Sequence, residues 1–437
     1  MNLAVEKSLF RYAGALGDLS DQDRDSLLRR AKPSDSDVRE RTASIVRRVW
    51  RDGDRALLEM AREYDGVALE SLEVPSDVKR RALESLDRGV RKALDHAARN
   101  IAAVHSASPP QSVEVETEPG VVVGRRPDPL QRVGIYAPGG RAAYASSVLM
   151  AAVPARAAGV AEIILCSPPR PDGYPASVVL AACEIAGVDR VFAVGGAAAI
   201  AAMAYGTQTV PRVDKVVGPG NAYVAEAKLL VSRDVGIDSP AGPSELMIIC
   251  DESADTENVA REVVAQAEHD VDACIVVISI GRGALGAIID AIAREIAGSP
   301  REEIVRAGLE QNGAMLSAAS LTEAVSFATK FAPEHLLLAV SDAESLLPQI
   351  RNASSVFIGE QSSVVFGDYI TGGNHVLPTG GLARSYSGLG PLDFVRWTYY
   401  QKVSREAARR LSTDAAILAG AEGLPGHARA ALRWSAP

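Results

Sequence analysis

Cysteine is scarce in this chain of 437 residues: there are four, at positions 166, 183, 250 and 274. No two form a C-x-x-C pair and each lies among apolar neighbours. That excludes a disulfide framework and a thiolate zinc site, and it marks no cysteine as a nucleophile. A reducing, cytoplasmic compartment is expected. Basic runs are absent as well. The formal charge is −9 and no stretch of Lys and Arg forms a nucleic-acid footprint, so no nucleic-acid partner is expected. Long apolar runs are also missing. The opening Met1-Asn-Leu-Ala-Val-Glu-Lys7 has no core of signal-peptide length. One uncharged run of 21 residues, 191–211, is interrupted by Gly195-Gly196 and closes on Thr207-Gln-Thr-Val-Pro211. It reads as a strand, a turn and an Ala-rich helix, so no membrane segment is expected.

What is present is ordinary globular composition, 47% apolar and 23% charged, and enough length for two or three domains. Residues 1–108 read as helical, with amphipathic helices at 34–51 and 78–104, and 113–124 reads as a hairpin around Pro119-Gly120. From 132 onward, short apolar strands alternate with helices: 133–136, 162–166, 191–194, 215–217, 246–250, 274–279, 314–317, 336–340 and 355–358. Such alternation predicts an α/β fold with two Rossmann-like parallel-sheet domains, 131–245 and 246–384, after an N-terminal helical region with its hairpin, 1–130. Residues 385–437 read as a helical tail, with helix expected through 394–412. It is too small for a core of its own and is expected to pack on the body or swap onto a second subunit.

The chemistry-bearing residues cluster in polar, Gly-marked stretches. In Val264-Ala-Gln-Ala-Glu-His-Asp270, Gln266 and His269 stand three apart, so on a helix they share a face and offer a mixed oxygen and nitrogen pair to a metal or a polar substrate. The plainer reading is a helix end with a histidine near its negative pole. His96 and His105 lie in the long N-terminal helix and its end, where structural duty is expected. His335 follows Glu334, two adjacent groups capable of proton transfer. His375 lies in the polar loop 367–378, and His427 near the C-terminus. Gln266, His269, Asp368 and His427 together would make a zinc shell with room for substrate, although spacing does not itself bring them together. Glycine turns at Tyr136-Ala-Pro-Gly-Gly140, Val194-Gly-Gly196 and Gly218-Pro-Gly-Asn221 follow strands, where open α/β sheets bind ligands and helix N-termini attract anions. Gly281-Arg-Gly-Ala-Leu-Gly286 matches the dinucleotide pattern, with Glu302 and Glu303 downstream. It is short enough to arise by chance, and we read it as a turn.

Taken together in order, several segments resemble histidinol dehydrogenase from about residue 35 to the C-terminus. They are Val133-Gly-Ile-Tyr-Ala-Pro-Gly-Gly140, Ser146-Ser-Val-Leu-Met150, Asp214-Lys-Val-Val-Gly-Pro-Gly-Asn221 and Ala241-Gly-Pro-Ser-Glu245. Gln266-Ala-Glu-His269, Ala332-Pro-Glu-His-Leu336, Gly367-Asp-Tyr369 and Asn374-His-Val-Leu-Pro-Thr379 follow. The resemblance implies a homodimer that oxidises L-histidinol to L-histidine through an enzyme-held aldehyde in two NAD-dependent steps. It implies Gln266, His269, Asp368 and His427 as zinc and substrate contacts, with His427 given by the partner's tail. His335 would be the base for the alcohol step, also near the substrate, and Glu334 would activate water for the aldehyde step. Ser244, Glu422 and His375 would contact substrate; Tyr136 and Asn221 would contact NAD. Two positions depart from the family's pattern: Ala198 replaces a glutamine that touches NAD, and Val364 replaces a glutamate near the substrate. Two alternatives stay open: a related zinc- and NAD-dependent dehydrogenase of another polyol, such as a sulfonated propanediol, and a zinc hydrolase using Glu334.

Overall fold

The computed structural model describes residues 9–30, 36–139, 143–240, 242–281 and 283–435. In chain order the first strands are β1 Tyr12–Ala15, β2 Glu73–Val74, β3 Val113–Glu118, β4 Val121–Pro129, β5 Arg132–Tyr136, β6 Glu162–Ser167, β7 Arg190–Ala193, β8 Lys215–Val217 and β9 Gly236–Ile237. They are followed by β10 Glu245–Cys250, β11 Cys274–Ile280, β12 Ala314–Ala318, β13 His335–Ala339, β14 Ser355–Ile358 and β15 Val395–Val403. One sheet has the order β2-β7-β6-β5-β8-β9, parallel except at β2; another, β1-β12-β11-β10-β13-β14, is parallel throughout. The third, β15-β4-β3, is antiparallel.

The composition of the strands explains the layering. Every residue of β10, Glu-Leu-Met-Ile-Ile-Cys, is buried, as expected of a parallel strand covered on both faces. Its side chains divide with a period of two. Leu246, Ile248 and Cys250 join one apolar cluster, and Met247 and Ile249 join another on the opposite face. The sheet containing β5 has a core of its own built on the Ala-rich helices Ala145–Ala157 and Gly196–Tyr205.

Each six-stranded sheet reverses its winding once. In the first, β5, β6 and β7 proceed to one side while β8 and β9 lie on the other; in the second, β10, β11 and β12 oppose β13 and β14. The reversals fall between β5 and β8 and between β10 and β13, the kind of position where open sheets leave a crevice.

Three sequence expectations need correction. The N-terminal region is not wholly helical, because β1 adds an edge to the second sheet through β12 and β2 adds one to the first through β7. Both strands are too short to show a period. The helix expected over 78–104 is two helices, Ser76–Glu84 and Arg88–Ser106. Asp87 breaks it by capping the second, its carboxylate accepting from Gly89 N (2.8 Å) and Val90 N (3.1 Å). The start of the tail is β15, not helix. Val395-Arg-Trp-Thr-Tyr-Tyr-Gln-Lys-Val403 is rich in β-branched and aromatic residues and pairs with β4 over nine residues, and helix begins only at Arg405 after the Ser404 cap. The hairpin around Pro119-Gly120 is present as β3 and β4. No helix among the described residues is long and apolar enough to cross a membrane.

Candidate active site

The first reversal is shaped by backbone. Tyr136 closes β5 and is buried, and its hydroxyl oxygen accepts from Gly196 N (3.1 Å) at the head of the Ala-rich helix. Burial pushes the phenol's pKa up to about 12, so it stays protonated. Across the crevice, Gly218 follows β8 with φ +116, and a side chain there would place Cβ 2.1 Å from Tyr136 O. The turn is braced from behind. Lys228 donates to Gly218 O (2.5 Å) and pairs with Asp238, whose other oxygen accepts from Gly218 N (2.8 Å). Asn221 caps the helix Ala222–Val231, accepting from Tyr223 N (3.1 Å) and Val224 N (3.2 Å). Tyr136 and Asn221 thus flank one crevice at strand carboxyl ends, beside a fresh helix N-terminus. Ala198 is buried in the first turn of the helix Gly196–Tyr205.

At the second reversal the polar groups gather at the opposite, amino-terminal edge, where β10 begins at Glu245 and β13 at His335. Glu334 and His335 are both buried. His335 Nδ1 lies 3.0 Å from Glu245 O, and since a carbonyl only accepts, Nδ1 carries the hydrogen. The other nitrogen, Nε2, is buried without a hydrogen-bond partner, 3.4 Å from Asp368 Oδ1. Glu334 Oε2 accepts from Glu245 N (2.7 Å) and lies 3.6 Å from His335 Nδ1. Burial pushes Glu334 up to about 8. Burial would lower His335, but Glu334 and Asp368 outweigh it and raise it to about 9. For Asp368, the pull of His335 and the neighbouring histidines overcomes burial and holds its carboxyl below the usual range.

His375 and His269 are felt at Asp368. His375 donates from Nδ1 to Asp368 O (2.8 Å), and its Nε2 meets Ser147 Oγ (3.0 Å) on the helix Ala145–Ala157. Next to it, Asn374 donates to Met150 O (2.7 Å), so the loop 367–378 ties the two halves together. Burial lowers the pKa of His375, and the protein packed around one side of the His269 ring lowers His269 as well although the residue stays open to solvent, which keeps both rings neutral. Gln266 is buried in the last turn of its helix. That helix ends at Ala267, so His269 lies two residues beyond it, in a turn and exposed in the single chain. The shared helix face expected for the pair is therefore corrected. Asp368, its charge felt by both rings, is the group they have in common. A cleft of about 490 Å³ opens over His335, Phe357, Gln361, Ser363, Asp368 and Asn374, a volume suited to a small ligand.

Other expected residues stand apart. Ser244, half-buried, precedes β10 and its carbonyl accepts from Cys274 N (3.0 Å). Glu422 and His427 are exposed in the tail, and among the described residues neither side chain bonds to the Glu334–His335–Asp368 group. Among the described residues of one chain, no three His, Cys, Asp or Glu side chains form a complete metal shell. Val364 is buried and its N–H donates to Glu262 Oε2 (3.1 Å). Gly140, Ala241 and Arg282, within the Gly-rich motifs, lie outside the described residues. Sequence reasoning missed Ser147, Glu262, Arg30 and the side chain of Glu245. Only Ser147 and Glu245 fell inside quoted motifs. All four cysteines are buried, and burial raises Cys166, Cys183 and Cys250.

Comparison with known proteins decides what this arrangement belongs to. The family model described as histidinol dehydrogenase matches residues 28–433. The chain belongs to the histidinol dehydrogenase family. It is 44% identical to the histidinol dehydrogenase of Methanosarcina mazei, over 94% of this chain and 95% of that protein. With the enzyme of Nitrosomonas europaea it shares 45% identity over 93% and 95%. A crystal structure of histidinol dehydrogenase from Elizabethkingia anophelis superposes with a TM-score of 0.93 at 31% identity, covering 98% of both chains. The α/β fold with parallel sheets and C-terminal helices matches that structure. Membership makes the chain an NAD-dependent oxidoreductase of histidine biosynthesis, and the hydrolase alternative falls.

Proposed function

We propose that this chain oxidises L-histidinol to L-histidine through L-histidinal, in two steps that each use one NAD. The observation that carries the reading is the buried pair at the edge of β13. His335 spends its Nδ1 hydrogen on Glu245 O and sets Nε2 beside Asp368 at the cleft, so that the ring, once it has shed the second proton that Glu334 and Asp368 favour, offers a lone pair there. That is what a base for a substrate hydroxyl requires. In the first step Nε2 takes the hydroxyl proton while a hydride leaves the carbinol carbon. In the second, Glu334 in its ionised form takes a proton from the water that adds to the aldehyde, and the second hydride leaves the resulting hydrate. NAD, held at the crevice by Tyr136 and Asn221, would accept a hydride in each step. Burial keeps the thiols of Cys166, Cys183 and Cys250 protonated, which favours water over a thioester.

The donor set fits zinc. Gln266 offers a buried amide oxygen, His269 a neutral imidazole and Asp368 an ionised carboxylate. A fourth ligand would be His427 of the partner subunit, which accords with its exposure in the single chain. Zinc would anchor the substrate's imidazole and amine and so supply orientation. Ser244 and Glu422 would complete the substrate's surroundings. Both nitrogens of His375 are already engaged, so its contribution is to hold the loop that carries Asp368. A cytoplasmic homodimer is the setting we propose.

Val364 supports one second reading, a dehydrogenase of another small polyol, because an apolar side chain stands where the family's pattern has an acid. The experiment that separates them is NADH formation by purified protein with L-histidinol, NAD and zinc. Two NADH per histidinol, abolished by a chelator and restored by zinc, is the expected result. No NADH from histidinol, with turnover of another polyol, would replace the substrate.

A further inference from the structure

Glu245 is the residue at which the candidate catalytic pair is held, and it is held in turn by an arginine from the far N-terminus. Its N–H donates to Glu334 Oε2 (2.7 Å) and its carbonyl accepts from His335 Nδ1 (3.0 Å), so one residue's backbone grips both members of the pair. Its side chain is 3% exposed and is fully committed elsewhere. Arg30 donates to it from Nε and Nη2, each at 2.6 Å, and Gly380 N at 2.7 Å.

Arg30 does more than neutralise this carboxylate. Its Nη1 donates to Phe331 O (2.8 Å) and Nη2 to Ala332 O (3.2 Å), and the guanidinium lies 3.5 Å above the Phe331 ring. Ala332 adopts a left-handed conformation, φ 54 and ψ 67, unusual for a residue with a side chain. Two residues later the chain reaches Glu334 and His335. The guanidinium thus fastens the turn just before the pair, while the carboxylate it binds fastens the strand edge to which the pair is bonded. Gly380 brings in the stretch that follows the His375 loop. A planar fork with fixed donor directions suits this task, and a lysine cannot reproduce it. Buried ion pairs contribute weakly to net stability, so such a pair is better understood through what it orients.

We propose that the Arg30–Glu245 pair is a positioning device for Glu334 and His335, fixing the His335 tautomer and the direction of its Nε2 toward the cleft. The inference rests on the assignment of proton transfer to those two residues. The test uses full-length Arg30→Lys, Glu245→Gln and Arg30→Ala proteins, with kcat and KM measured separately for histidinol and histidinal. NAD affinity and thermal stability are measured in parallel. Arg30→Lys is expected to lower kcat by about 10²-fold, the effect of a small misplacement of reacting groups, with KM and NAD affinity unchanged. Low concentrations of guanidinium are expected to restore part of the kcat of Arg30→Ala. Wild-type kcat in Arg30→Lys and Glu245→Gln would overturn the inference. So would a kcat that falls only in proportion to the folded fraction, or a change confined to KM. His335→Asn and Glu334→Gln are the controls: if these retain turnover, the assignment beneath the inference fails, whatever the Arg30 variants do.

Discussion

A single ring carries most of the chemistry proposed for this chain, and its two nitrogens make separable predictions. His335→Asn can still donate an amide hydrogen toward Glu245 O but has no basic nitrogen at the Nε2 position. Histidinol oxidation is expected to fall by about 10²–10⁴-fold, the usual worth of a positioned general base, with oxidation of supplied histidinal less affected. Steady-state rates on the two substrates check this, and equal losses on both would remove His335 from the alcohol step. Glu334→Gln should show the reverse pattern, with histidinal turning over poorly. Away from this pair, Asp65 gives a stability prediction. Asp65 is exposed overall, but its carboxylate faces Gly195 at the first crevice, and the partial loss of water there raises its pKa from 3.8 to about 6. Between those values the folded protein holds a proton that the unfolded chain has released. The group's contribution is therefore present below its ordinary pKa and is lost as pH rises through about 6. Asp65→Asn is expected to raise the melting temperature at pH about 8, the gain fading as the pH is lowered toward about 4. A gain independent of pH would show that charge is not its cause.

At the scale of elements, the glycine turn after β8 is the part of the first crevice with least freedom. Gly218→Ala would set a methyl 2.1 Å from Tyr136 O in a backbone conformation that alanine rarely adopts, so β5 or the turn must move. A loss of about 1–3 kcal/mol in stability is expected. NAD binding about tenfold weaker should accompany it, measured by titration. Wild-type NAD affinity in a folded Gly218→Ala protein would place the cofactor elsewhere. This turn was legible in the sequence because Gly-Pro-Gly-Asn after a β-branched strand is local turn chemistry. The central strands were legible for a similar reason, being continuous apolar runs between turns. What escaped were elements decided by distant partners. β1 and β2 exist only because β12 and β7 offer open edges. β15 escaped for a different reason: it carried its own β-branched and aromatic signal, and the helical pattern after it was extended too far back. The site divides in the same way. Gln266, His269, Glu334, His335 and Asp368 lie in the short motifs that carry the family resemblance, whereas Arg30 meets Glu245 across 215 residues of sequence, a pairing that no local spacing encodes.

At the scale of the whole molecule, the tail is the element that makes least sense in one copy. Its helices Arg405–Ala421 and Pro425–Leu432 and the end of the tail leave Leu418 67% and Trp434 54% exposed, with Ile417 and Leu432 also uncovered. Glu422 and His427 sit on the same tail, exposed and unengaged with the polar group at β13. A swap of the tail onto a second subunit would cover the apolar face and carry His427 to Gln266, His269 and Asp368 at once. In a two-fold dimer each site would then draw on both chains, and this can be tested by complementation. His269→Asn and His427→Asn are each expected to abolish zinc retention and turnover while leaving the fold intact. In a dimer formed from one subunit of each kind, one site has lost both ligands and the other has lost neither. Random reassociation of the two variants should therefore recover about a quarter of wild-type activity and of its bound zinc. Metal analysis of the mixed protein provides a readout independent of catalysis. If each chain builds its site alone, every site in the mixture lacks one ligand, and mixing restores neither zinc nor turnover.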